Sequence, residues 1–400
     1  MSTRFDEKIN RLGTYSTQWD YIQDRFGEEG LLPFSISDMD FQVPSEVMES
    51  LHERLAHGVF GYTRWDHDDY KQAIFDWYEK RFDVKIDKNQ IVYSPSVCYS
   101  IAKMIELLTE KGDHVIIQTP AYDAFFRLIE SNERQCIENE LVKENGYYTM
   151  DFEDLEEKLA NPRAKIFLLC SPHNPTGRVW TEQELKKIVG ICQKYNVFII
   201  SDEIHMDVIR KGKKHSPLMQ LVKNNQNFCI CTSASKTFNT PGLIASYMFV
   251  PNNELRERFL HQLKDKDSLS SASIFGTTAL IAGYQNASKW VDELNDYFEG
   301  NLNYLKKFLT EQLPEISFEL PEATFLAWLD VSKLPLTDDE LQTALVKIGK
   351  VAIMRGDTYG KVGARHLRLN IGCPREKLKE GLERLKMTIR KSCLDGVEEN

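Results

Sequence analysis

No apolar run in this 400-residue sequence approaches the length needed to span a bilayer, so no transmembrane helix and no membrane partner are expected. The charged start, Met1-Ser-Thr-Arg-Phe-Asp-Glu-Lys8, lacks the apolar core of a secretory leader. There is no Cys-x-x-Cys pair. The eight cysteines, at 98, 136, 170, 192, 229, 231, 373 and 393, are scattered, and no histidine cluster accompanies them. That pattern argues against a metal site or a disulfide framework. Several of these cysteines sit in apolar runs, where the residue acts as a small hydrophobe. Together these features imply a reducing cytoplasm. Positive charge is also in short supply: 50 Lys and Arg stand against 60 Asp and Glu, a net charge of −10. Such a chain has no general pull towards nucleic acid, and a cluster such as Arg210-Lys-Gly-Lys-Lys214 reads as a solvated loop. Internal repeats, low-complexity segments and Gly/Ser linkers are missing too.

What is present is an ordinary globular balance, 42% hydrophobic and 28% charged. The length exceeds one ordinary core, so two closely packed domains are expected. Short apolar runs rich in β-branched residues recur at Val115-Ile-Ile, Ile166-Phe-Leu-Leu-Cys, Val197-Phe-Ile-Ile and Phe228-Cys-Ile-Cys. They suit buried strands of a mainly parallel sheet. Thr181-Glu-Gln-Glu184 is a capping box, followed by Leu185, Ile188, Val189 and Cys192 at helical spacing. Strand, loop, helix and strand in that order make a crossover unit. From about 290 the pattern changes. An amphipathic stretch at 290–312 leads to a strand at 325–329, a second capping box at Thr337-Asp-Asp-Glu340, a strand at 351–354 and a terminal helix near 375–391. The expected division is an N-terminal segment 1–45 joining a small domain, a large α/β domain 46–288, and a small α+β domain 289–400.

Four segments carry chemistry. Ser94-Pro-Ser-Val-Cys-Tyr99 lies between a strand and a helix, and a helix N-terminus suits a phosphate. Ser171-Pro-His-Asn-Pro-Thr-Gly177 is a rigid loop that holds Asn174 at a strand's C-terminal edge, where open α/β sheets bind ligands. Ser201-Asp-Glu-Ile-His205 brings Asp202 to the same edge, with His205 on the same side and Glu203 in a structural role. Ser233-Ala-Ser-Lys-Thr-Phe238 puts Lys236 at a strand end, where a desolvated amine becomes a nucleophile. Each has a plainer reading alone: a strand-to-helix turn, a rigid turn, a helix cap, a surface lysine.

Their order, Asn174, Asp202, Lys236 and then Arg368, resembles the fold-type I pyridoxal-phosphate (PLP) enzymes of the aminotransferase superfamily. The likeness is greater to the MalY/PatB-type C–S lyases, or cystathionine β-lyases, and covers nearly the whole chain. It is carried by Ser37-Asp-Met-Asp-Phe41, Phe60-Gly-Tyr-Thr63, Thr119-Pro-Ala-Tyr-Asp-Ala-Phe125, Cys170 to Gly177, Ser201 to Met206, Ser233 to Asn239, Leu269-Ser-Ser271 and Leu367 to Pro374. The resemblance implies a PLP-dependent transferase-like fold with a mostly parallel seven-stranded sheet, helices on both faces, and a smaller α+β domain. It implies that Lys236 binds the cofactor aldehyde, Asp202 faces the ring nitrogen, Tyr122 stacks on the ring, and Asn174 and His205 lie at the ring's hydroxyl side. Backbone at Ser96 and Val97, with the hydroxyls of Ser233 and Ser235, would hold the phosphate. Tyr62 would reach that phosphate from the second subunit of a homodimer, and Arg368 would clamp the substrate α-carboxylate.

Two departures stand out. Many aminotransferases place an arginine on the phosphate through a Gly-x-Arg segment, whereas Pro241-Gly-Leu-Ile-Ala-Ser246 has Ile244 at that place. The related lyases often carry Trp-Val-Ala where this chain has Ser35-Ile-Ser37, which alters the pocket beside the substrate carboxylate. The expected reaction is α,β-elimination on cystathionine or a related sulfur amino acid. Transamination of amino acids, and a regulatory protein that binds a transcription factor, are the alternatives.

Overall fold

The structure, a computed structural model, describes residues 3–222 and 226–398, with side chains up to 392. Cys393 lies outside the described side chains, and the other seven cysteines are free thiols.

The four apolar runs fall in strands 114–119, 164–170, 198–202 and 228–232, and further strands, among them 135–140 and 246–249, which no run announced, complete the sheet. Ile91–Ser94, His114–Thr119, Gln135–Glu140, Ala164–Cys170, Phe198–Asp202, Phe228–Thr232 and Ser246–Phe249 form one seven-stranded sheet. In space they follow the order 91–94, 246–249, 228–232, 198–202, 164–170, 114–119, 135–140. Strand Ser246–Phe249 runs antiparallel to both its neighbours, and all other pairs are parallel. Every residue of Phe198–Asp202 and Phe228–Thr232 is buried. A strand covered on both faces must be apolar without interruption, which is why these runs do not alternate.

Both capping boxes form. Thr181 Oγ1 accepts from the Glu184 amide at 3.2 Å, while the Glu184 carboxylate accepts from the Thr181 amide at 2.7 Å. The helix they start, Glu182–Lys194, buries Leu185, Ile188, Val189 and Cys192. Thr337 and Glu340 do the same for Asp338–Lys347. Among the described residues no helix is long and apolar enough to cross a membrane.

Towards the C-terminus, His366–Asn370 pairs antiparallel with Leu326–Asp330 on one side and Met354–Arg355 on the other. Here one expectation needs correction. The run 351–354 is not one strand: Val351–Ala352 pairs in parallel with Leu32–Pro33, and Met354–Arg355 joins the three-stranded sheet. A short apolar run reports burial but not which edge it meets, and the chain changes partner at buried Ile353. The last helix, Arg375–Glu398, also runs beyond the expected 391. Residues 32–34 lie against this C-terminal part, since the Phe34 amide donates to Ala352 at 2.8 Å and the Phe34 carbonyl accepts from Asn370 at 3.0 Å. The chain then runs as a strap, 35–41, towards the edge of the large sheet.

Candidate active site

In a parallel sheet all C-terminal strand ends share one edge, so segments far apart in sequence meet there. The segments after Ser94, Thr119, Cys170, Asp202 and Thr232 close around a cavity of about 230 Å3. It is lined by Ser96, Val97, Tyr122, Asn174, Asp202, His205, Ser233, Ser235 and Lys236, nine of the residues singled out from sequence. Arg368 does not line it but touches one residue that does. The remaining one, Tyr62, stands fully exposed and does not line the cavity of its own chain.

Lys236 sits in the short helix Ser235–Phe238, directly after a central strand, and its amine donates to the Ser37 carbonyl. Burial draws the amine down to about 8; Asp38 and Asp202 pull the other way and Arg368 adds to the fall. Asp202 ends its strand, is buried, and accepts from the Ile204 amide at 3.1 Å. Burial pushes its carboxyl up to about 7, against the Ile204 amide and the Lys236 charge. A carboxyl with one amide bond and no paired cation has room for a positive partner from a ligand. His205 follows in a turn rather than a helix, and both line the same cavity. Its Nδ1 is buried without a hydrogen-bond partner, and burial drives the ring down to about 3, with Lys236 and Arg368 contributing. Glu203 is structural, as read: its carboxylate accepts from Ser201 Oγ at 3.0 Å and the Leu218 amide at 2.9 Å, and His215 Nε2 lies 3.0 Å away.

Tyr122 opens the helix Asp123–Ser131, and burial raises its phenol far above the ordinary value. Ser96 caps the helix Val97–Leu108, its hydroxyl accepting from the Tyr99 amide at 3.1 Å. The first amides of a helix have no intrahelical partner, so Val97 and Cys98 present free N–H groups beside the cavity. Ser233 Oγ donates to Ala245 O at 2.6 Å and accepts from the Ser235 amide at 3.0 Å.

Arg368 projects from strand His366–Asn370 and is buried. Its Nη1 donates to Asn174 Oδ1 at 3.0 Å and its Nη2 to the Ser35 carbonyl at 2.9 Å. Its guanidinium lies 4.6 Å from the Tyr359 ring centre, and its Nε is buried without a partner.

Several residues escaped the sequence reading. Cys98 and Ile204 line the cavity, each one residue from a residue that was named. Asn239, in a left-handed conformation at φ 58°, holds the strap: Oδ1 accepts from the Met39 amide at 2.9 Å, and Nδ2 donates to Met39 O at 2.9 Å and Phe41 O at 2.8 Å. From the other side Asn370 Nδ2 donates to Ile36 O and Asp38 O, both at 2.6 Å. Both asparagines fall in segments that carry the resemblance, but a motif does not say what its side chains touch. Tyr359 had no signal at all. Ile244 lines the cavity at φ 54°, a region that costs a β-branched residue energy, and brings no cation there.

With this geometry in view, comparison with known proteins is direct. The model of the family "Aminotransferase class I and II" matches residues 29–385. The chain is 44% identical to Protein MalY of Escherichia coli K12 over 386 residues, 96% of this chain and 98% of that one. It is 39% identical to cystathionine beta-lyase PatB of Bacillus subtilis, over 96% of this chain and 99% of that one. Among solved structures, cystalysin from Treponema denticola with pyridoxal 5′-phosphate superposes with a TM-score of 0.92 at 33% identity, covering 98% of this chain and all of that one. The PLP-bound C–S lyase of Staphylococcus hominis gives 0.91 at 30% identity, over 97% and 98%. The sheet order, the lysine and aspartate at one strand edge, and likeness over nearly the full length agree: the chain belongs to the aminotransferase class I and II family, with the fold of type I PLP-dependent enzymes.

Proposed function

We propose that this chain is a PLP-dependent carbon–sulfur β-lyase that cleaves cystathionine or a related sulfur amino acid into a thiol, pyruvate and ammonia. The observation that carries the reading is the amine of Lys236, held near 8 by burial in one cavity with the buried carboxyl of Asp202. The relatives named above supply the reaction class.

The cavity suits the cofactor chemically. Asp202, buried without a cation against it, would hold a protonated ring nitrogen, and the orphan Nδ1 of His205 and the amide of Asn174 offer polar contacts to the ring. The free amides at Val97 and Cys98, with Ser233 and Ser235, would hold the phosphate without an arginine at 244. When bound, pyridoxal phosphate supplies an electron sink for the pair left on the substrate carbon. Lys236, as a neutral amine near pH 8, removes the proton from substrate Cα as a general base. Asp202 keeps its negative charge opposite the ring nitrogen while negative charge develops on the substrate. Arg368 orients the substrate by its carboxylate, through a planar fork that suits a bidentate partner.

In the same reading the protein is a cytoplasmic homodimer with shared sites. Tyr62, fully exposed on one subunit, serves the phosphate of the other. The chain divides into 1–45 with 289–400 as a small domain and 46–288 as the large one, supported by the pairing of Leu32 with Val351.

The test measures pyruvate from cystathionine with and without a keto acid acceptor. Steady pyruvate release without an acceptor is expected. Turnover that stalls until a keto acid is added would make the chain an aminotransferase instead.

A further inference from the structure

Beside the cavity of Lys236 lies a second one, of about 340 Å3, with Tyr21, Asp24, Arg25, Phe26, Ser35 and Ile36 in its walls. One residue separates it from the substrate arginine: Ser35 lines it, and the Ser35 carbonyl accepts from Arg368.

Arg25 reaches this wall from the short helix Ile22–Phe26. Its Nη1 meets the sulfur of Met354 at 3.5 Å, and among the described residues no carboxylate pairs with Arg25 and no cation pairs with Asp24. Met354 is the cross-strand partner of Arg368. Directly opposed residues of an antiparallel pair point to the same face, with Cβ atoms about 5 Å apart. The two guanidinium groups are thus separated by one methionine side chain. Tyr359 senses both: burial pushes its phenol up to about 12, and Arg368 and Arg25 each pull it down. Two cations this close, one of them resting on a soft sulfur, are matched by a ligand with two carboxylates.

We propose that the second cavity receives the far end of a substrate that is itself an amino-acid zwitterion, with Arg25 on its distal carboxylate and Asp24 on its distal ammonium. The inference rests on the lyase reading above and narrows its substrate class. Thioethers that carry an amino acid on both sides of the sulfur are selected over S-alkyl cysteines, because Arg368 takes the near carboxylate and Arg25 the far one.

The test compares cystathionine with S-methylcysteine, which ends in a methyl group, on the wild-type, Arg25→Gln and Arg25→Lys holoenzymes. Arg25 is exposed, so these variants are expected to fold. Loss of one charged contact raises KM for cystathionine about tenfold in Arg25→Gln, ~1.4 kcal/mol, and leaves S-methylcysteine within about twofold. Arg25→Lys recovers part of the difference, and Asp24→Asn shifts the same ratio in the same direction as Arg25→Gln. An equal change for both substrates in Arg25→Gln, or none, overturns the proposal. Calorimetric titration of Lys236→Ala, with and without Arg25→Gln, reads the same contrast in binding without turnover. Absence of pyruvate from either amino acid in the wild type would defeat the lyase reading, while the titration would still decide the role of Arg25.

Discussion

Arg368 donates to the side-chain oxygen of Asn174 at 3.0 Å, joining the C-terminal sheet to the loop that follows a central strand of the large one. The bond holds the guanidinium at the rim of the cavity while its Nε has no partner. A lysine at 368 keeps the charge but loses the planar fork. Arg368→Lys should raise KM for the amino-acid substrate by roughly 10- to 100-fold with a smaller effect on kcat, as expected for a charged hydrogen-bonded contact. Steady-state kinetics check this, and an unchanged KM would remove Arg368 from the substrate site.

Asp202 should make the cofactor-free protein sensitive to pH. Its carboxyl sits at about 7 in the folded chain, against an ordinary 3.8. Between those values the unfolded chain has lost this proton and the folded chain keeps it, so its contribution to stability falls as pH rises from about 4 to about 7. Asp202→Asn removes that slope. Melting temperatures of the cofactor-free proteins should separate progressively between pH 5 and 7, with the variant higher. Curves that stay parallel would show that Asp202 does not titrate in this way. Once loaded with cofactor, the same variant should lose on the order of 100-fold in kcat, because the ring nitrogen loses its negative partner.

Asn239 fastens the strap to the element that carries Lys236. Asn239→Ala leaves the Met39 amide and the Phe41 carbonyl of the strap unpaired, while the Met39 carbonyl keeps its bond from Arg11, and puts alanine at φ 58°. Lost hydrogen bonds and a left-handed alanine together should cost ~2–4 kcal/mol. Denaturant unfolding measures the cost. Because the strap also supplies the carbonyl that holds the Lys236 amine, kcat should fall more than KM rises. A loss below about 0.5 kcal/mol, the range of ordinary surface substitutions, would show that the strap is held by other means.

Tyr62 provides the test of a shared site. Subunits carrying Lys236→Ala should be inactive and should lose the borohydride-reducible cofactor adduct, while Tyr62→Phe subunits should be impaired. Mixed subunits should regain activity, since one site of each hybrid dimer then holds both intact residues. Full activity from a species that light scattering shows to be monomeric would exclude the arrangement.

Much of the large sheet is legible in the sequence because strands buried on both faces must be apolar throughout. The edge strand Gln135–Glu140 is not, since an edge tolerates the polar residues that fill it. The two capping boxes announce their helices because the motif satisfies local amides and needs no distant partner. Lys236, Asp202 and Asn174 are legible for a related reason: each follows a strand, and parallel strands deliver their C-terminal ends to one edge in any register. Tertiary structure decided what surrounds them. Asn239 meets Met39 across 200 residues, and Arg368 meets Asn174 across 194. Arg25 reaches Met354, in a strand that pairs with His366–Asn370, across 329 residues. Sequence periodicity records which side of an element is buried, whereas the partner it is buried against depends on how separate elements pack, and that choice leaves no mark in the spacing of residues along either one.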